Sequence, residues 1–149
     1  PIQEIDSLLK IITINPSKEF VFSSRIQLIN NFVKKNIFRY LLGRCFATSV
    51  AILFKIPIYD TQCGSKIFSI NICKLIFKEK FISNWLMDVE IFVRLINYYG
   101  LESTLQISYE SPVTIWIDRG GSKIKPSYFL KAPFELIRIY NYYKSNREN

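Results

Sequence analysis

Asp60-Thr61-Gln62-Cys63-Gly64-Ser65-Lys66 sets a carboxylate, an amide, a thiol, a flexible glycine and an ammonium within seven residues, just after a long apolar segment. Polar groups this dense either line a site or form an ordinary turn that satisfies its own backbone. The stretch alone is compatible with both, and the turn is the commoner case. Ile67-Phe68 runs out of it into residues 69–78, whose pattern predicts a short helix capped by Ser69 or Asn71.

Working upstream, residues 2–14 carry Ile5, Leu8, Leu9 and Ile12 at helical spacing, and Asn15-Pro16-Ser17-Lys18 ends that helix. Phe20-Val21-Phe22 then reads as a short buried strand leading into Ser23-Ser24-Arg25. A helix, a tight turn and a strand suggest a crossover onto a parallel sheet. Arg25 would sit at the C-terminal end of the strand, where open α/β sheets bind ligands. Its planar fork suits a phosphate, although a plain surface arginine in a βα loop fits equally well.

Residues 30–54 are helical in pattern and apolar on more than one side, and Pro57 stops them. Lys35 and Arg39, four apart, share a face, whereas Arg44 points roughly 140° away from Arg39 on an ideal helix. Such a segment suits a helix lying in a membrane interface with its cations near lipid phosphates, or a helix sandwiched in the core with solvated ends.

Downstream, Asn84-Trp85-Leu86-Met87-Asp88-Val89-Glu90 opens a helix that carries Val89, Phe92, Val93 and Ile96 on one face and ends at Gly100. Asp88 and Glu90 lie about 200° apart around it, so regular helix cannot aim both at one site. Glu90 has Arg94 four residues on, the favourable order for a surface ion pair. Asp88 sits where the helix dipole stabilises a carboxylate and is the better site candidate. Residues 104–117 alternate as one or two strands broken around Ser111-Pro112, and residues 128–143 form a last amphipathic helix. Between them, Arg119-Gly120-Gly121-Ser122-Lys123 can turn backbone N–H groups toward an anion, or be a plain hairpin loop.

Composition narrows the chemistry. The chain has 149 residues, enough for one domain or part of one, and 49% of them are apolar, which argues against disorder. Twenty basic against twelve acidic residues give a net charge of +8, favouring an anionic partner: nucleic acid, an anionic membrane surface or a phosphorylated substrate. Histidine is absent, which removes Ser-His and Cys-His nucleophiles and histidine-based zinc sites. Cys45, Cys63 and Cys73 are odd in number and lack metal-ligand spacing, as free thiols in a reducing compartment would.

In this order and spacing, Ser23-Ser24-Arg25, the 60–66 stretch, Trp85 to Glu90, and Trp116 with Gly121-Ser122-Lys123 resemble the C-terminal half of family 2 glycosyltransferases. The branch they resemble is the one that glucosylates dolichyl or undecaprenyl phosphate. The likeness covers about residues 1–140, and the 60–66 stretch matches the family string at six of seven positions. Ser65 stands where the family has phenylalanine, and Ser23 where it has glycine.

The resemblance implies an α/β fold, the C-terminal part of a GT-A, Rossmann-like three-layer sandwich. It makes residues 1–149 a single incomplete domain, the acceptor-side half, without the N-terminal nucleotide-binding part and its Asp-x-Asp pair. On that reading the strand near Phe20 to Ser23 would have an unpartnered edge where missing strands normally pair. The implied reaction is inverting transfer of a hexose, glucose by the closest branch, from a nucleotide sugar such as UDP-hexose to a polyprenyl phosphate. A divalent cation, Mg2+ or Mn2+, is expected for the full-length enzyme, with its ligands outside this chain, so the fragment itself would be inactive. Asp60 and Asp88 are the implied catalytic residues. Arg25, Lys35, Arg39, Gln62, Lys66, Trp85, Ser122 and Lys123 are the implied substrate-binding residues. The expected location is peripheral, on the cytoplasmic face of an anionic membrane, with no nucleic-acid partner. The rival readings are a GT-A transferase with a polysaccharide or glycan acceptor, and a non-catalytic basic module binding membrane or nucleic acid. The first lacks a reason for an apolar, basic-ended acceptor helix. The second predicts aromatics within an exposed basic stripe, whereas most aromatics here fall on core-like faces.

Overall fold

A computed structural model describes residues 2–29, 32–34, 37–117 and 126–145, with side chains except those of 2, 3, 34, 38, 39 and 126–130. The chain runs α1 (Ile2–Ile14), β1 (Phe20–Ser24), β2 (Phe32–Lys34), α2 (Ile37–Phe54), β3 (Lys66–Phe68), α3 (Ile70–Ile76), α4 (Met87–Tyr99), α5 (Leu101–Ile107), β4 (Ser108–Pro112), β5 (Ile115–Ile117) and α6 (Pro126–Ser145). The α/β class expected from the sequence is observed.

β1 is the centre of a three-stranded sheet ordered β3-β1-β4. β4 runs parallel to it, with Phe22 opposite Glu110, and β3 runs antiparallel, with Phe22 opposite Lys66. The open edge expected at Phe20 to Ser23 is therefore not there. The chain returns on one side as β3 and on the other as β4, and all five residues of β1 are buried. β2 and β5 form a separate parallel pair, Phe32 opposite Ile115 and Val33 opposite Trp116.

Alternation along β1 assigns its two faces. Phe20 and Phe22 enter the main core, where their rings lie 5.0 and 5.1 Å from that of Phe92 on α4. Val21 points the other way and is equally buried, and α1 packs against β1. Helices thus cover both faces of the sheet. The core continues through Val50 of α2, Ile72 and Ile76 of α3, and Leu136 and Ile139 of α6.

Two expectations are corrected. Residues 30–54 are not one helix: Phe32–Lys34 is a strand, because its backbone finds β5 some 80 residues downstream. Residues 104–107 close α5 instead of opening a strand, and the break falls at Val113-Thr114, with Pro112 ending β4 at its edge. α4 buries the expected Val89, Phe92 and Val93, and Glu90, Ile91 and Leu95 with them.

Helix ends follow local chemistry. Ser69 Oγ accepts from the Ile72 N–H at 3.2 Å and caps α3. Gly100, at φ 80°, leaves α4 in a conformation that disfavours a Cβ. Lys55, at φ 57°, does the same after α2 without glycine's freedom, and Pro57 follows it.

α2 carries Val50 inward, yet Ile37, Leu41, Cys45, Thr48 and Ile52 form an exposed stripe at helical spacing without a charge. Among the described residues no helix is long and apolar enough to cross a membrane.

Candidate active site

β1, the 59–66 loop and the start of α4 bring four charged groups together. Arg25 follows the last residue of β1, and its Nε and Nη2 donate to Oδ2 and Oδ1 of Asp60 at 2.6 and 2.8 Å. The Arg25 backbone N–H adds a third bond to Oδ2, at 3.1 Å. Lys66, the first residue of β3, sends its ammonium to Asp88 Oδ1 at 3.1 Å. Asp88 lies in the first turn of α4, where the helix N-terminus favours its charge.

The electrostatics follow from this geometry. The hydrogen bond that Arg25 donates to Asp60 raises the Arg25 pKa, against the opposing effect of burial, with the charges of Asp60 and Asp88 adding to the rise. Burial alone would raise the Asp60 pKa, but the guanidinium beside it holds the carboxyl below its usual value. Burial pushes the Cys63 thiol up, so it stays protonated at neutral pH.

Lys66 is corrected in role. Besides Asp88, its ammonium donates to the carbonyls of Thr61, at 3.0 Å, and Cys63. An ammonium has three donors, and all three are used within the protein. Its side chain is only 5% exposed. Lys66 ties the loop to α4 instead of presenting a cation to a substrate.

Gln62 is half-buried between the buried Thr61 and Cys63. Trp85 is half-buried against the core, its ring 6.1 Å from that of Phe46 on α2. Lys35, Ser122 and Lys123 lie outside the described residues. Arg39 falls within α2, with its side chain outside them.

Glu90 is also corrected. Its pair with Arg94 is buried, not superficial: the Glu90 side chain has no exposure and Arg94 donates to it at 2.8 Å. Glu90 further accepts from the N–H of Ile82, at 2.9 Å, and from the Tyr143 hydroxyl, at 2.8 Å. Arg94 in turn donates to the carbonyls of Ile76, Glu79 and Lys80. This network binds α4, the loop before it and α6, and belongs to the fold, as the opposed directions of Asp88 and Glu90 predict.

Two contributors were missed. Glu110 on β4 accepts from the backbone N–H of Asp60 at 3.2 Å and of Tyr59 at 3.4 Å. Arg44 donates to the Tyr59 carbonyl at 3.3 Å, with its guanidinium 4.1 Å from the centre of that ring. Neither contact has a local signal, because the partners come from separate elements. The one available hint was that Arg44 departs from the Lys35–Arg39 face.

Among the described residues no three His, Cys, Asp or Glu side chains gather into a metal site. Asp60 and Asp88 are each paired with a cation. These residues do not fit a divalent ion.

No family model matches the chain, and no solved structure does. Curated relatives do. A dolichyl-phosphate beta-glucosyltransferase of Trichomonas vaginalis is 33% identical over 137 residues, 92% of this chain and 38% of the relative. A second from that organism is 31% identical over 144 residues, 96% of this chain and 41% of the relative. The Dictyostelium discoideum dolichyl-phosphate beta-glucosyltransferase is 30% identical over 122 residues, 80% and 35% respectively. The chain thus spans about two fifths of the length of these relatives. Over the part it spans, the chain fits a C-terminal fragment of a family 2 glycosyltransferase similar to the dolichyl-phosphate beta-glucosyltransferases.

Proposed function

We propose that this chain is the acceptor-side part of a hexosyltransferase that moves glucose, with inversion, from a nucleotide sugar such as UDP-glucose to a polyprenyl phosphate. The observation that carries the reading is the meeting of Arg25, Asp60, Lys66 and Asp88 at one end of β1. The relatives' names support the acceptor class.

The chemistry asks little of a base. A phosphate monoester is largely ionised at neutral pH, its second pKa being about 6, so a chain without histidine suffices. The Arg25 guanidinium, oriented by its pair with Asp60, would add its charge at the acceptor phosphate, and Asp60 would meet the sugar hydroxyls, with Asp88 beside the reacting centre. Lys35 and Arg39 would add charge near the phosphate, Gln62 and Trp85 would border the sugar, and Ser122 and Lys123 would meet the leaving diphosphate. Any divalent cation would be held by groups other than those described.

A lipid acceptor also accounts for α2. Its exposed, uncharged stripe suits the interface of an anionic membrane, reached from the cytoplasmic face. A glycan acceptor gives that stripe no role.

The test uses citronellyl phosphate, a short polyprenyl phosphate, against citronellol in calorimetric titrations. Binding of the phosphate alone, weakened at least tenfold in Arg25→Ala, is expected. Equal binding of the alcohol, or an unaffected variant, overturns the reading. Vesicles of phosphatidylserine and phosphatidylcholine should bind the chain in a salt-sensitive way.

A further inference from the structure

The carboxylate of Glu110 meets two consecutive backbone N–H groups, those of Tyr59 and Asp60, just where the loop begins. Two acceptor oxygens on two neighbouring amides fix the orientation of the peptide between them, and with it the direction in which Asp60 leaves the backbone. On its other side the Asp60 carboxylate is gripped by Arg25. Glu110 and Arg25 come from adjacent strands: Phe22 pairs with Glu110, and Ser24, just before Arg25, pairs with Pro112. Asp60 is thus held at its backbone by β4 and at its side chain by the end of β1.

We propose that Glu110 is a positioning residue for Asp60, setting through two backbone hydrogen bonds the place from which the Asp60 carboxylate meets Arg25. It touches neither the carboxylate nor the guanidinium in the described contacts and acts through the peptide. Charge assistance makes such bonds about twice as strong as neutral ones. Arg44 takes the Tyr59 carbonyl on the same residue, so the loop start is bracketed from β4 and from α2. A site needs its groups held to about 0.5 Å, which a loop reaches only when rigid elements grip it.

The inference gives a part in the proposed hexosyl transfer to Glu110 and rests on that reading only for its consequence. The geometry is tested separately. Amide hydrogen exchange of the 149-residue protein is followed by NMR in the wild type, Glu110→Gln and Glu110→Ala. The amides of Tyr59 and Asp60 should both exchange at least tenfold faster in Glu110→Ala, and at least one of them in Glu110→Gln. The Arg25 Nε–H resonance should move, and the β1 amides should keep their protection. Unchanged exchange at Tyr59 and Asp60, or acceleration across all of β1, overturns the proposal. If the alanine variant does not fold, the glutamine variant, which keeps one acceptor oxygen and the side-chain volume, decides alone. Citronellyl phosphate titration then separates the two ideas. Altered exchange with no phosphate binding by the wild type leaves Glu110 a positioning residue and removes the transferase reading.

Discussion

Lys66 and Asp88 form a 3.1 Å ion pair that closes the 59–66 loop onto the first turn of α4, with the lysine almost wholly out of solvent. The pair lets the helix N-terminus and the loop carbonyls share one ammonium. A cation so committed is part of the frame on which Asp60 is displayed.

Replacing Lys66 by Met should therefore destabilise the protein by roughly 3 kcal/mol, as breaking a buried pair does. Asp88 would keep its charge with no partner, and two carbonyls would lose their donor. Urea denaturation of K66M beside the wild type measures this. A loss under 1 kcal/mol would show that the ammonium is not needed inside.

Asp60 should give the stability curve an acid-sensitive part. Its folded pKa is lowered, so the Arg25 pairing is fully present above the unfolded carboxylate value of about 3.9. That stabilisation is lost as pH falls through the lower folded value. Asp60→Asn should cost about 2 kcal/mol at pH 7, the worth of a hydrogen bond to a charged group. The gap should close toward pH 2. Urea midpoints at several pH values check the sign.

Ser23 and Ser24 are wholly buried, and neither hydroxyl has a hydrogen-bond partner among the described residues. An orphaned buried polar group costs about 1–3 kcal/mol. Ser23→Ala should raise stability by about 1 kcal/mol, in keeping with the glycine of the resembling family. Thermal melting that falls instead would mean that the Ser23 hydroxyl is satisfied.

The Glu90 network should behave as structure. Glu90→Ala leaves two backbone N–H groups without their acceptor and Arg94 without its carboxylate, a loss of about 3–5 kcal/mol. Tyr143→Phe, which removes a donor to Glu90 and an acceptor of Arg94 Nε, should cost about 1 kcal/mol. Equal costs for the two would contradict the central place of Glu90.

The thiols should separate by rate. Cys45 is exposed and Cys63 buried, with burial also keeping the Cys63 thiol protonated. Iodoacetamide labelling read by mass spectrometry should modify Cys45 first and Cys63 last.

Much of this protein was settled along the chain itself. The apolar triplet Phe20-Val21-Phe22 made β1, Ser69 opened α3 and Gly100 ended α4, since capping and positive φ depend on near neighbours. The turn per residue of a helix was enough to send Asp88 toward the loop and Glu90 away from it. Tertiary structure decided the rest. Phe32–Lys34 left the helical pattern for a partner strand far along the chain, and β1 became central because β3 and β4 both found it. Lys66 turned from a substrate cation into a fastener, and Glu110 and Arg44 emerged as loop anchors. Periodicity reports only contacts three or four residues apart, whereas these bonds join groups brought close by the sheet and the packing of its helices.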